Sequence, residues 1–546
     1  MSVGSRLPVV ALMALAAACG GPPMPQELPG APKTARSASG VVVAAQPLAA
    51  EAGARILEAG GNAADAAVAA AFAISVVEPS MNSIGGRTQV LLRTPGGEFH
   101  GIDATTQAPW TYDPTTADEA SYGYGTIGIP GAVAGLTKLL EEHGTLSLRD
   151  VMAPAIQLAR KGFRLLPGEA ARHRAVQDQI REFPGTRSHF LGPSGETNEA
   201  GTLFVQEDLA RTLEIIAEGG AEAFYEGAIA EAMAADLQAG GSPVTREALE
   251  QYRAEDSRIV RGSYRGFDLV GTDIPASGAV TIGILHVLEN FDMAGLDDEA
   301  WAGVVGQAVA KGLEYRTMLG TAEDAKRFLD KAFAARVAAE IDVPGVELAR
   351  AALVPQQWES REPSSLPSRV NGRLALVGEV AGQATGMGQR SMDWTGATWG
   401  AKSTHTTHLS TADRDGMLVA LTQTIGPNLG SKVVTPGLGF TYAATLGGYL
   451  SSVAGGERAR SSISPLMVLA DGEPRLVLGA AGGARIVSAV VQAVCRFVDQ
   501  GLSLPEALAA ARVHPVEGGL SMETSPGIGW GDAVVDSVES WGFEVR

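Results

Sequence analysis

Residues 406 to 424 read TTHLSTADRDGMLVALTQT, and little but a β-hairpin accommodates them. The second half is a clean apolar strand. The centre, Arg414-Asp415-Gly416, is a three-residue connection that puts glycine in the left-handed position such loops favour. Asp413 and Met417 form the closing pair, and counting back in register sets Thr406 opposite Thr424 on one face. Their Cβ atoms are then expected about 5 Å apart.

Facing hydroxyls have two readings. Threonine has high strand propensity and needs no further reason to be there. It becomes a nucleophile only when a base takes its proton, and one such base is its own α-amine, which exists once the preceding peptide bond is cut. A free α-amine has a pKa of about 8, and a low-dielectric site favours its neutral form. The hairpin alone leaves both open. His405 and His408 are the one close pair among eight histidines, but residues three apart on a strand point to opposite faces. No metal and no other cofactor is expected.

At 546 residues the chain needs two units or one large layered domain. Its 45% hydrophobic and 19% charged residues suit a globular core, and 68 glycines imply many tight turns. A net charge of -19 without basic clusters argues against a nucleic-acid partner.

MSVGSRLPVVALMALAAACGG is read as an export signal over residues 1–19, its apolar run too short to span a bilayer comfortably. Ala16-Ala17-Ala18-Cys19-Gly20 resembles a bacterial lipobox, with alanine where leucine is usual three residues before the cysteine. Cys19 is then the lipidated first residue of a periplasmic protein that touches the membrane only through its lipid. An ordinary secretory signal cut nearby is the other reading. Residues 20–40, rich in Pro, Gly and Ser, are expected to be a tether. Cys495, in an apolar helical pattern, reads as a small buried hydrophobe and not a nucleophile.

AAQPLAAEAGARILEAGGNAADAAVAAAFAISVVEP predicts two helices broken at Gly60-Gly61, with Asn62 as N-cap and the second packed on a sheet. RTQVLLRTPGGEFHGID predicts a hairpin. Helical patterns dominate from Ala132 to about Leu353, interrupted by strand-like FDLVGTDI at Phe267. A polar run from Pro355 to Gln389, extended by Gly- and Ser-rich sequence up to the threonines, is expected to be exposed and flexible. THLSTA, MLVALTQT, PLMVLAD and PRLVLGAA follow as strands, then RIVSAVVQAVCRFVDQG as a helix. These elements suggest a layered α/β fold with antiparallel hairpins.

TTHLSTADRDG resembles the mature small-subunit start of the γ-glutamyltransferase family, T-T-H-x-S-x-x-D-x-x-G. Four more stretches match in order: GIPGAVAGL (Gly128 to Leu136), LRDVMAPAIQLARKGF (Leu148 to Phe163), RSSISPLMV (Arg460 to Val468) and LGAAGGARI (Leu478 to Ile486). The resemblance runs from about Gly40 to the C-terminus. It implies an N-terminal-nucleophile hydrolase, a four-layer αββα sandwich formed jointly by the large and small subunits of one self-cleaved chain. The cut then falls between His405 and Thr406, giving a large-subunit region over 41–405 and a small one over 406–546. By resemblance Thr406 is the nucleophile, Thr424 its partner hydroxyl, Gly482 and Gly483 the oxyanion-hole glycines, and Ser461 and Ser462 holders of the substrate α-carboxylate. The implied reaction passes a γ-glutamyl group from glutathione-like amides to water or an amino acid or peptide.

The sequence also departs from the family. The Arg that pairs the α-carboxylate falls on Thr105, an Asn on Gly426, a Gln or Glu on Thr445 and the amine-binding Asp on Gly448. Each lost charge-assisted contact costs about 1.5–3 kcal/mol. Arg87 and Arg460 are candidate replacements for the missing Arg. The chain ends at DSVESWGFEVR, before the family's usual final strand pair, so a different sheet edge is expected. The same acyl-enzyme machinery acting on glutaryl or other acyl amides is therefore the alternative. A non-catalytic binding lipoprotein is a third reading, against which the joint retention of Thr406, Thr424 and the Gly-Gly pair counts.

Overall fold

The computed structural model describes residues 34–117, 119–349, 369–370, 373–374, 376–379, 404–450, 453–524 and 529–546. The leader, the tether up to residue 33 and nearly all of the polar run before the threonines lie outside the described residues.

Ten strands build two central antiparallel sheets. In chain order they are β1 (Gly40–Ala44), β2 (Arg87–Arg93), β3 (Phe99–Ala104), β4 (Glu255–Asp256), β5 (Ile259–Tyr264), β6 (Phe267–Thr272), β7 (Thr404–Asp413), β8 (Leu418–Pro427), β9 (Leu466–Ala470) and β10 (Glu473–Leu478). The first sheet has the order β1-β7-β8-β2-β3-β4 and the second β10-β9-β6-β5.

The threonine hairpin, β7–β8, lies inside the first sheet, flanked by β1 and β2. Its turn forms as expected: Asp413 N–H donates to Met417 O at 3.2 Å, and Gly416 has φ +91°. The Asp413 carboxylate adds a lock. One oxygen accepts from the Asp415 and Met417 N–H groups at 2.9 and 3.0 Å, the other from Ala63 N–H at 3.0 Å. Every residue of β8 is buried, as a strand covered on both faces must be.

One face of this sheet meets helices α1 (Pro47–Glu58), α2 (Ala63–Val77) and α3 (Ala132–His143), and α4 (Leu148–Lys161) packs on α2. Asn62 caps α2, its side chain accepting from Ala64 and Asp65 N–H while the Asp65 carboxylate returns a bond to Asn62 N–H. All fifteen residues of α2 are buried. Its alanines let β7, β8 and three helices approach it at once, and the Thr411 hydroxyl reaches the Ala63 carbonyl at 2.6 Å.

The opposite face carries Leu91, Ala412, Leu418 and Ala420, which pack on Val270, Met467 and Leu469 of the second sheet. Helices α6 (Gly278–Leu288), α7 (Asp298–Arg316) and α8 (Arg485–Val498) cover that sheet's far side; α5 (Pro167–Ala175) belongs to the first helical layer. Ile284, Trp301, Val305 and Val491 form the core there, and Cys495 is buried among them as a free thiol. The result is the four-layer αββα sandwich.

Two expectations need correction. Thr34–Ser37 and Leu376–Glu379, inside the stretches read as tether and as flexible run, pair as antiparallel strands. The region read as helical also holds β4 and β5. β5 was hidden by Gly262, where a Cβ would stand 2.3 Å from the Ile282 side chain: α6 presses on the strand at the point where its apolar pattern lapses. The C-terminal residues form a separate small sheet of Val513–Val516, Gly519–Met522 and Glu544–Val545.

Candidate active site

The hairpin register is regular from Ala412–Leu418 to Thr407–Gln423, then slips between Thr407 and His405. Thr406 therefore sits in a β-bulge and not in the simple ladder pair that counting implies. A bulge re-aims side chains, and here it gathers two hydroxyls on one carbonyl. Thr406 Oγ1 lies 2.8 Å from the His405 carbonyl oxygen and 3.2 Å from Thr424 Oγ1. Thr424 Oγ1 donates to the same carbonyl at 2.5 Å and accepts from Gly426 N–H at 3.0 Å. With its lone pairs taken by Gly426 and Thr406, the Thr424 proton is committed to the His405 oxygen. Thr406 is 3% exposed.

Behind β7, on the helical side, lies a buried polar network on α5. The Glu169 carboxylate accepts from Ser80 N–H at 2.8 Å, the Ser80 hydroxyl at 2.7 Å and Arg172 at 2.6 Å, and meets His173 at 3.1 Å. Burial alone raises its pKa, but Arg172, His173 and Ser80 outweigh that and hold it below the usual carboxylate range. Glu78 has less compensation: burial lifts it to about 7 against the pull of Arg172. His405 is driven down to about 4, first by burial and then by Arg172, so it is neutral at pH 7.

His408 faces the second sheet. It meets Thr422 Oγ1 at 2.8 Å and Ser410 Oγ at 3.0 Å, and burial lowers it to about 3. The loop after β10 crosses over its ring so closely that a Cβ on Gly479 would stand 2.3 Å from Nδ1. This loop continues to Gly482 and Gly483, at φ +118° and +62°, before turning into α8. The two glycines thus belong to the loop that covers the hydroxyl face of β7.

Ser461 and Ser462 are both buried. The Ser461 hydroxyl accepts from Ile463 N–H at 3.3 Å, whereas Ser462 Oγ accepts from Arg316, the last residue of α7, at 3.0 Å. Arg316 is close enough to Arg460 and Arg87 for their charges to add to burial in lowering its pKa. Arg87 stands opposite Thr424 in the β8–β2 ladder, so its side chain leaves the sheet on the Thr424 face. Ser462 and Thr424 thus each have an arginine at hand, Arg316 and Arg87, and the two guanidiniums feel each other's charge.

The four departures are structurally absorbed. Thr105 bonds the Asp103 carboxylate through both its N–H and its hydroxyl, and that carboxylate also faces Arg458 at 3.4 Å. Thr445 donates to Thr106 Oγ1 at 2.9 Å. At Gly448 a Cβ would stand 1.9 Å from the Glu119 carbonyl oxygen, which excludes any side chain. Gly426, at φ +88°, leaves room for Tyr449, whose ring and hydroxyl would be 3.0 Å from a Cβ there. Tyr449 in turn hydrogen-bonds Arg87. Arg316 and Tyr449 were invisible as site residues in the sequence: one ends a helix 90 residues before the hairpin, the other merely follows Gly447-Gly448.

Residues 49–546 match the family model described as Gamma-glutamyltranspeptidase. The glutathione hydrolase proenzyme of Escherichia coli (strain K12) is 31% identical over 88% of this chain and 81% of its own length. The acylase ACY 1 proenzyme of Pseudomonas sp. (strain V22) is 32% identical over 90% and 85%. Among solved structures, cephalosporin acylase from Bacillus halodurans superposes with a TM-score of 0.76 over 96% of this chain and 92% of that one, at 24% identity, which shows a shared fold. Helicobacter pylori gamma-glutamyltranspeptidase gives a TM-score of 0.54 at 30% identity, over 60% and 95%. A family match across nine-tenths of the sequence, on a sandwich with paired threonines at its centre, leads to one conclusion: the chain belongs to the gamma-glutamyltranspeptidase family.

Proposed function

We propose that this chain is a self-processing threonine amidohydrolase and acyltransferase that cuts itself between His405 and Thr406. It then moves a γ-glutamyl or related acyl group from an amide to water or an amine. The observation that carries the reading is the meeting of Thr406 Oγ1 and Thr424 Oγ1 on the His405 carbonyl oxygen, at 2.8 and 2.5 Å.

In self-cleavage, Thr406 Oγ1 attacks the His405 carbonyl carbon. Its proton passes to Thr424 Oγ1 while Thr424 gives its own to the carbonyl oxygen, so no full oxyanion builds up. The C–N bond then breaks, the nitrogen takes that proton, and an ester remains. Water hydrolyses the ester to the His405 carboxylate and frees Thr406. In turnover, the new α-amine takes the Oγ1 proton as the oxygen attacks the substrate carbonyl and hands it to the leaving amine. The acyl ester on Thr406 then passes to water or to an amine acceptor. Gly482 and Gly483 are assigned to the substrate oxyanion, and Ser461 and Ser462 to its carboxylate.

The names of the relatives support two donors, glutathione-type γ-glutamyl amides and the amides taken by acylases. The second gains weight from Gly448, where the Glu119 carbonyl leaves no space for an amine-binding Asp. The reading also carries export and a lipid on Cys19. Intact-mass analysis of the purified protein tests processing and lipidation together. The expected results are a new N-terminus at Thr406, hydrolysis of γ-glutamyl-p-nitroanilide, and loss of both in Thr406→Ala. A well-folded wild-type chain that stays whole refutes the reading.

A further inference from the structure

Arg87 is a buried cation without a counter-ion. It is 5% exposed, and among the described residues its Nε and Nη1 have no hydrogen-bond partner and its guanidinium no ion pair. The Tyr449 hydroxyl is neutral at pH 7, since burial raises its pKa. An isolated buried charge is costly, and a fold retains one where something anionic will meet it. Arg87 sits one strand away from Thr424, its side chain on the face where the two threonine hydroxyls converge.

The other arginines nearby are already engaged. Arg458 faces Asp103 at 3.4 Å and Glu255 at 3.1 Å. Arg316 donates to the Ser462 hydroxyl at 3.0 Å, and Arg460 is exposed and donates to the Leu319 carbonyl at 2.6 Å. Of these arginines Arg87 alone has buried nitrogens without a hydrogen-bond partner among the described residues, and Arg316 adds a second positive charge beside it.

We propose, resting on the acyl-enzyme reading above, that Arg87 with Tyr449 is the receptor for the distal carboxylate of the acyl donor, and that no group here recognises an α-amine. The donor class is then the monoamides of short dicarboxylic acids. A guanidinium with unpartnered N–H donors at Nε and Nη1 offers a carboxylate charge-assisted hydrogen bonds. An ammonium fares badly in the same place: no carboxylate pairs with Arg87, Arg316 or Arg460 among the described residues, and the guanidiniums repel it. A γ-glutamyl donor binds through its carboxylate and gains nothing from its amine.

The test compares three p-nitroanilides on the mature wild-type enzyme: glutaryl, γ-glutamyl and butyryl. Glutaryl should match or exceed γ-glutamyl, and both should exceed butyryl in kcat/KM by about 10- to 100-fold, the worth of one charge-assisted pair. Arg87→Gln should collapse the glutaryl-to-butyryl ratio toward one, with the loss mainly in KM. Arg87→Lys, which keeps charge without the fork, should fall between. If the Arg87 variants do not fold, product inhibition of the wild type serves instead: glutarate should inhibit at least tenfold more strongly than butyrate. Equal rates on glutaryl and butyryl anilides, a γ-glutamyl preference above tenfold, or an unchanged ratio in folded Arg87→Gln overturns the proposal while the parent reading stands. A chain that neither cleaves nor turns over any anilide removes both.

Discussion

Replacing Thr424 by valine deletes one oxygen and keeps the β-branched shape that suits β8. Three contacts go with it: the donation to His405 O at 2.5 Å, the contact with Thr406 Oγ1 at 3.2 Å, and the acceptor for Gly426 N–H at 3.0 Å. The first two concern the reaction. Losing one donor to a developing oxyanion slows acyl transfer by about 10²–10³-fold, and Thr406 also loses the neighbour that relays its proton. The third contact concerns stability, because a buried N–H left without an acceptor costs about 1–3 kcal/mol. The two effects separate experimentally. In a cell-free translation time course read on denaturing gels, Thr424→Val should cleave at least 100-fold more slowly than wild type, while circular dichroism reports a folded chain with a modestly lower Tm. Thr424→Ser restores the oxygen without the methyl and should cleave within about tenfold of wild type. Folded Thr424→Val that cleaves within threefold of wild type, or Thr424→Ser as slow as the valine variant, would refute the relay.

Three further outcomes follow from the same geometry. Asp413→Asn turns an N–H donor toward one of the backbone N–H groups its carboxylate now accepts, so in a Thr406→Ala background, which keeps one intact chain, denaturant unfolding should show a loss of about 1–3 kcal/mol; no change would mean the turn–α2 lock is idle. Gly448→Asp should not restore amine recognition, because its Cβ would meet the Glu119 carbonyl at 1.9 Å; an overpacking cost of about 1–3 kcal/mol or more is expected in Tm, with no rise in the γ-glutamyl-to-glutaryl ratio. In acid, His189, His286, His405 and His514, held at about 4, and His408, held at about 3, stay neutral in the fold but protonate near 6.5 when unfolded. Their contribution is thus complete above pH 6.5 and lost as pH falls toward 4. Glu169, with its lowered pKa, adds to that loss below the ordinary carboxylate range, whereas Glu78, raised to about 7, works the other way between pH 7 and 4.5. Thermal melts of Thr406→Ala should show Tm falling from pH 6.5 to 4.5, and a flat or rising Tm would contradict the assignment of buried neutral imidazoles.

What was legible in the sequence was what local rules determine. The Arg414-Asp415-Gly416 loop, the Asn62 cap and the apolar strand β8 each rest on a few adjacent residues, and each forms as read. The bulge at Thr406 was not legible, since counting register assumes one residue opposite one, and nothing in Thr-His-Thr-Thr announces the slip. β5 was lost because Gly262 erased the pattern where α6 needed room. The surroundings of the paired threonines were only partly legible, for a deeper reason: Arg87 and Ser462 stood out as candidates, Arg316 and Tyr449 did not. Arg87, Arg316, Tyr449 and Ser462 lie on a strand, a helix end and two loops far apart in sequence, and only the packing of the two sheets brings them together.

That division has a chemical consequence. The nucleophile half of the site is held by bonds internal to the hairpin and by its tie to α2, on strands supported from both sides. The residues proposed for donor recognition come instead from separate segments of the chain. On the proposed reading, Arg87 on β2, Tyr449 beside Gly426 and the closure of Gly448 against Glu119 reshape donor recognition and leave the paired hydroxyls on the His405 carbonyl. On that reading, reaction class and donor choice rest on different parts of the fold. A change at Arg87 should move selectivity between acyl groups, while a change at Thr424 should slow every donor in the same proportion.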